Sequence, residues 1–350
     1  MMKGKRILAV LLAGLAVSAT ASAETLRLLT WGDYAPDALV KKFKQETGID
    51  VQVTLSNNED IISKLRATGG AGFDLAQPSQ DRIAGPQADF HIYKPIDLSR
   101  VNTNQFIPSL LSATKANTTI GGKVYALPYL WGTLGVMTNN AKAAKVASIG
   151  DMCEDAYKGK ISMRVKRPAL ILMAFADGDD PFAAYGNPDK YQSIIEKAGQ
   201  KLATCKANVK TYWNNTDDLL SMMRSGEIVA GEGWDSLAFK LQGEKMDIGY
   251  DKTPLGWVDT FVLPAKGKAD DAAYKWINFV MRPENAAIVM QSSNSMSAAV
   301  GAQDLVPEQL RQSINRVYSP QVIANIKWFP PIPPGLEARE GKILDRVSAQ

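Results

Sequence analysis

Acidic and aromatic residues recur together in this chain near the ends of predicted strands: Trp31 with Asp33 and Tyr34, Trp234 with Asp235, and Trp257 with Asp259. An aromatic face covers methylene groups and attracts a cation, while a carboxylate hydrogen-bonds an ammonium. The combination suits an alkylammonium. Two Trp–acid pairs at separate strand ends are hard to explain by packing alone. Asp259 stands inside the largely apolar run VDTFVLP, where a carboxylate without a partner is costly to bury. The competing structural role at the first site is that Trp31 and Tyr34 pack beneath the following helix, with Asp33 as its N-cap.

Alternating strands and helices must position these residues. Strands are predicted over 25–30, 49–55 and 73–77, separated by amphipathic helices over 36–47 and 58–68 that stop at Gly48 and at Gly69-Gly70. A second set follows, with strands over 160–163, 209–213 and 228–231 and helices over 190–203 and 216–225. This alternation implies βαβ units and parallel sheets. The apolar stretches 124–138 and 257–264 read as extended strands joining the two sets, and a helix over 270–281 precedes a Pro-punctuated C-terminal part. A length of 350 residues suits two domains, and fractions of 45% hydrophobic and 22% charged are those of a globular chain with real cores.

The first 23 residues read as an export signal rather than as part of the fold. Lys3, Lys5 and Arg6 precede an apolar run over 7–19, too short to span a membrane, and Ala21-Ser22-Ala23 has the form of a cleavage site. Removing three positive and no negative charges lowers the net charge from +4 to +1, which takes away the support for a nucleic-acid or membrane-surface partner. A soluble periplasmic location is expected. In that oxidising compartment Cys153 and Cys205 are expected to form a disulfide, the alternative being two buried thiols. A single histidine, His91, excludes His-rich metal sites, and without a G-x-S-x-G elbow it argues against a secreted Ser-His-Asp hydrolase.

Six segments become specific in combination: LLTWGDYAPDALVKKFKQETGIDV at 28–51, FDLAQPSQDRI at 73–83, VYALPYLWGTLGVMTN at 124–139, EGWDSLAFK at 232–240, GWVDTFVLPAKGK at 256–268 and WINFVMRPENAA at 276–287. Through them the chain resembles the periplasmic polyamine-binding proteins of ABC transporters. The resemblance implies an α/β, two-lobe type II periplasmic binding protein fold with two interlobe crossovers, near Asn139 and Trp257. Lobe 1 would comprise 24–138 plus 258–302, and lobe 2 would comprise 139–257 plus 303–350. It further implies a monomeric, non-enzymatic receptor without cofactor or metal, whose partners are a small-molecule ligand and an inner-membrane ABC permease.

Ligand contacts carried over from the family fall on Trp31, Asp33, Tyr34, Ser79, Trp234, Asp235, Trp257 and Asp259, with Asp259 as the ammonium-binding aspartate. Trp131, Tyr212 and Trp213 are further candidates for cleft walls. Ser79 has capping of the next helix as its alternative role, and Trp131 has packing beneath the hinge. One segment departs from the family. Where polyamine receptors place acids for the second amino group, this chain reads Arg164-Val165-Lys166-Arg167-Pro168. Those charges repel a second ammonium, whereas a guanidinium takes a carboxylate in bidentate fashion. The expected ligand is therefore a short ω-amino acid such as γ-aminobutyrate or 5-aminovalerate, bound at its carboxylate by Arg167 or Arg164. A polyamine such as putrescine or spermidine follows instead if the basic segment is a solvated loop. A ferric-iron receptor would want adjacent tyrosines, which are missing from the sequence. A sugar receptor would use the tryptophans but does not call for an acid at 259.

Overall fold

The computed structural model describes residues 24–144, 146–250 and 255–349, and the expected export segment over 1–23 lies outside the described residues. Thr25–Thr30 pairs in parallel with Asp50–Leu55 on one side and Leu75–Ala76 on the other. Helix Asp37–Thr47 connects the first two strands and ends at Gly48, whose φ of 74° is a left-handed conformation unfavourable to a residue with a Cβ. Helix Asn58–Thr68 starts where the Asn57 side chain accepts from the Asp60 amide at 3.0 Å. Phe43 and Phe279 meet Trp276 in the core of this lobe.

The second sheet runs in the order Lys327–Trp328, Leu255–Phe261, Leu127–Asn139, Ala230–Trp234, Ile161–Met163, Val209–Tyr212. Its last three strands are mutually parallel. Helices Arg167–Ala176, Pro188–Thr204 and Leu336–Ala349 contribute to a common core that includes Leu170, Leu202 and Ile343. The result is a two-lobe α/β fold in which two extended strands pass from lobe to lobe. Among the described residues no helix is long and apolar enough to cross a membrane.

Leu127–Asn139 is the first of these strands and is buried at all 13 residues. Its beginning pairs with Asp259–Phe261 and with Met296–Ser297, its end with Ala230–Trp234 and Ile248–Tyr250. The change of partner falls over 131–134, upstream of Asn139. Leu255–Phe261 runs antiparallel beside it and passes the same line at 256–258. The ladder is irregular between Asp259 and Thr260, a kink of the kind that re-aims a side chain.

Cys153 and Cys205 form a disulfide with a sequence separation of 52. It ties the turn Asp151–Cys153 to the end of helix Pro188–Thr204, and Asn208 braces the same junction by donating to the Met152 and Glu154 carbonyls. Closing a loop of that size restricts the unfolded chain. Replacing both cysteines by alanine is expected to lower the unfolding free energy by about 2–4 kcal/mol in denaturant melts; an unchanged midpoint would show that Asn208 suffices.

Candidate functional site

Asp259 is 4% exposed and sits at the irregularity of the second crossing strand. Its Oδ2 accepts from the Tyr34 hydroxyl at 2.6 Å and its Oδ1 from Ser79 Oγ at 2.5 Å. Both donors are themselves fixed. Tyr129 donates its hydroxyl to the Tyr34 carbonyl at 2.7 Å. Asn58 accepts from the Ser79 amide and donates from Nδ2 to Ser79 Oγ, each at 2.9 Å. Ser79 thus relays a directional chain into Asp259, and its side chain does not cap the turn that follows. Burial pushes the Asp259 carboxyl up to about 7, an effect that the two hydroxyl donors only partly offset. Its partners among the described residues are neutral hydroxyls, so the carboxylate is held and aimed without a cation from them.

Trp31 lies against Tyr34, and Trp257 stands two residues before Asp259 on the same strand. Trp31 is half-buried, its plane fixed by Nε1 donating to the Gln77 carbonyl at 2.8 Å, and its ring centre lies 6.4 Å from that of Tyr34. Trp234 and Trp257 are also half-buried and pack against both of the larger apolar clusters. Gly132 on the first crossing strand lies under Trp257: a Cβ there would come within 2.6 Å of both Trp257 Cζ2 and Asp235 Oδ1. Trp213 is fully buried, and Trp131 packs edge-on against Tyr318 and Trp328. Tyr212 is half-buried. Asp33 takes no part in this cluster. It is exposed in a left-handed turn with φ 65°, and Pro36 rather than Asp33 precedes the helix as its cap residue.

The basic segment corrects the expectation placed on it. Arg164 and Arg167 are 8% and 6% exposed, and only Lys166 faces solvent. Arg164 lies over the rings of Trp213 and Trp234, 4.4 and 4.2 Å from their centres, and its Nη2 donates to Glu232 Oε1 at 2.9 Å. Arg167 is the first residue of helix Arg167–Ala176, where the positive end of the helix dipole disfavours a cation. Acids compensate: Nε meets Glu340 Oε2 at 2.9 Å, Nη1 meets Asp81 Oδ2 at 3.2 Å, and Nη2 donates to the Tyr185 hydroxyl at 2.7 Å. The arginines are thus neither a solvated loop nor unopposed charges. Their carboxylates come from distant parts of the chain.

Asp235 is held by backbone amides and by a tyrosine hydroxyl. It is fully buried; Oδ2 accepts from the Thr133 amide at 3.0 Å and from the Tyr318 hydroxyl, while Oδ1 accepts from the Ser236 amide at 2.8 Å. Burial raises its carboxyl to about 7. Asp235 braces the first crossing strand beside Gly132. Glu232, Asp81, Glu340 and Asn58 were not among the candidates from sequence. Of these only Glu232 carried a signal, as an acid between glycines in a buried strand.

The bacterial extracellular solute-binding protein family matches the chain over residues 38–312. A spermidine/putrescine-binding periplasmic protein of Haemophilus influenzae is 27% identical, over 89% of this chain and 85% of the relative. A putrescine-binding periplasmic protein of Pseudomonas aeruginosa is 25% identical, over 94% of each. Among solved structures, a spermidine/putrescine ABC transporter substrate-binding protein of Streptococcus pneumoniae superposes with a TM-score of 0.76 at 23% identity, over 93% of this chain and 99% of that one. With a two-lobe fold, a buried acid held by Tyr34 and Ser79 and a family match over most of its length, this chain belongs to the bacterial extracellular solute-binding proteins, alongside the spermidine/putrescine-binding members.

Proposed function

We propose that the protein is the periplasmic receptor of an ABC importer and that its cleft takes a small linear amine of the putrescine or spermidine class. The observation that carries this reading is Asp259, a buried carboxylate presented by two neutral hydroxyls with no cation bound to it among the described residues. A ligand ammonium supplies the missing charge, and the half-buried tryptophans cover its methylenes. Periplasmic delivery to a permease, without turnover, fits the export-like N-terminus and the disulfide.

One observation favours a second reading, an ω-amino acid. Arg164 Nη1 carries no hydrogen bond among the described residues, so its edge could donate to a ligand carboxylate despite the pairing with Glu232. A thermal-shift and calorimetric panel of putrescine, spermidine, γ-aminobutyrate, 5-aminovalerate and glutarate separates the two, because a ligand that binds the folded state alone raises the melting temperature. Putrescine or spermidine is expected to give the largest shift. Stabilisation by the amino acids with no response to the diamines would replace the first reading by the second.

A further inference from the structure

The turn that follows Ser79 leaves lobe 1 and is met by lobe 2 at three consecutive residues. Gln80, in contact with Thr114 of lobe 1, donates from Nε2 to the Phe329 carbonyl at 3.3 Å. Asp81 Oδ2 lies 3.2 Å from Arg167 Nη1. Arg82 pairs with Glu337 while remaining 3.6 Å from Glu59 of its own lobe. These contacts differ in burial. The side chains of Asp81 and Arg167 keep 9% and 7% exposure, whereas Glu337 keeps 51%. We propose that the Asp81–Arg167 pair is a closure latch, the contact by which lobe 2 engages lobe 1 when the cleft shuts, and that Asp81 is a positioning residue for ligand retention.

The argument rests on which partners each ion keeps when the lobes part. Arg167 is organised wholly within lobe 2 by Glu340 and the Tyr185 hydroxyl, and Glu340 in turn accepts from Tyr191. Lobe 2 therefore carries a neutralised, oriented guanidinium in either arrangement, with Nη1 left for Asp81. Asp81 has no such second arrangement within hydrogen-bonding reach: its other basic neighbour, Arg82, is 3.8 Å away. On opening, Asp81 regains water. On closing, it trades that water for the guanidinium. Desolvation offsets most of the Coulomb attraction in a buried pair, so the latch leaves a small net bias toward closure without locking the cleft. It adds orientation, and a ligand needs only a modest differential affinity to tip the balance. The latch begins two residues after Ser79, whose hydroxyl is bound to Asp259, so ligand capture and closure act on one short segment.

The inference rests on the amine-receptor reading only for its ligand, and the test keeps the two apart. Spin labels on Lys41→Cys and Ser193→Cys, exposed positions in lobe 1 and lobe 2, report the interlobe distance by pulsed electron resonance, the native cysteines being joined to each other. Asp81→Asn is expected to shift the ligand-free distance distribution to longer values. It should also raise the putrescine Kd roughly 5- to 50-fold, mainly through faster dissociation, and leave the thermal midpoint within a few degrees because Arg167 keeps Glu340. Asp81→Glu, which preserves the charge, should recover most of the affinity. Distance distributions and dissociation rates identical between wild type and Asp81→Asn would overturn the latch. If no amine of the panel binds, the ligand-free distances still decide it, and only the functional reading falls.

Discussion

Asp259→Asn is expected to weaken putrescine binding at pH 8 by about 2–4 kcal/mol, roughly 30- to 1000-fold, while the protein stays folded. The carboxylate is the only charge that the Tyr34–Ser79 pair presents, and asparagine keeps its shape but neither its charge nor its second acceptor oxygen, so one of the two hydroxyls must turn to accept from Nδ2. Isothermal titration measures the loss. An affinity within about threefold of wild type would remove Asp259 from the ligand's contacts.

The same residue sets a pH dependence whose sign can be worked out. Its carboxyl is raised from 3.8 to about 7 in the folded protein, so at pH 5.5 the site is largely neutral and an ammonium ligand must displace a proton on binding. Affinity should fall about tenfold per pH unit below 7 and level off above it, and Asp259→Asn should flatten that profile. Stability of the ligand-free protein follows the opposite sign. The folded state holds this proton more tightly than the unfolded chain, so the contribution is fully present below about pH 4 and is lost as pH rises through about 7. Asp235, raised for the same reason of burial, adds to the stability trend but not to the ligand profile. The melting-temperature gain from putrescine should therefore be larger at pH 8 than at pH 5.5.

Much of the frame was legible because local signals and tertiary structure agree. The strand Thr25–Thr30 and the helix Asn58–Thr68 fall where alternation, capping residues and glycine stops put them. Asp259 was legible because an acid in an apolar strand is expensive unless something meets it. The point at which the first crossing strand changes partners was not. That strand is buried along its whole length, so its composition does not change where its partners do. The basic segment misled for a related reason. Arg167 meets Asp81 and Glu340 across 86 and 173 positions, and charge neutrality in a fold is a property of space, which a run of three basic residues in five does not show. The helix that starts at Arg167 was also missed, since the flanking charges obscured its apolar body.

Glu232→Gln is the substitution expected to cost most in stability. Glu232 is wholly buried and Arg164 nearly so, and the guanidinium is enclosed by Trp213, Trp234 and this one carboxylate. Removing the acid's charge strands a cation among indole rings, which in comparable buried pairs costs about 3–5 kcal/mol. The aromatic faces soften this by about 1–2 kcal/mol, so a loss of about 1–4 kcal/mol in urea melts is expected. Replacing both partners by apolar residues, Arg164→Met with Glu232→Met, should recover most of it, because neither ion then needs solvation. The pair of variants also weighs the ω-amino-acid reading. If Arg164 holds a ligand carboxylate, the double variant folds yet loses amino-acid binding; if the ligand is a diamine, the double variant binds it about as well as wild type does. A stable Glu232→Gln protein would mean that Arg164 swings out to water, and that the enclosed ion pair is not what holds the strands of lobe 2 together at this end.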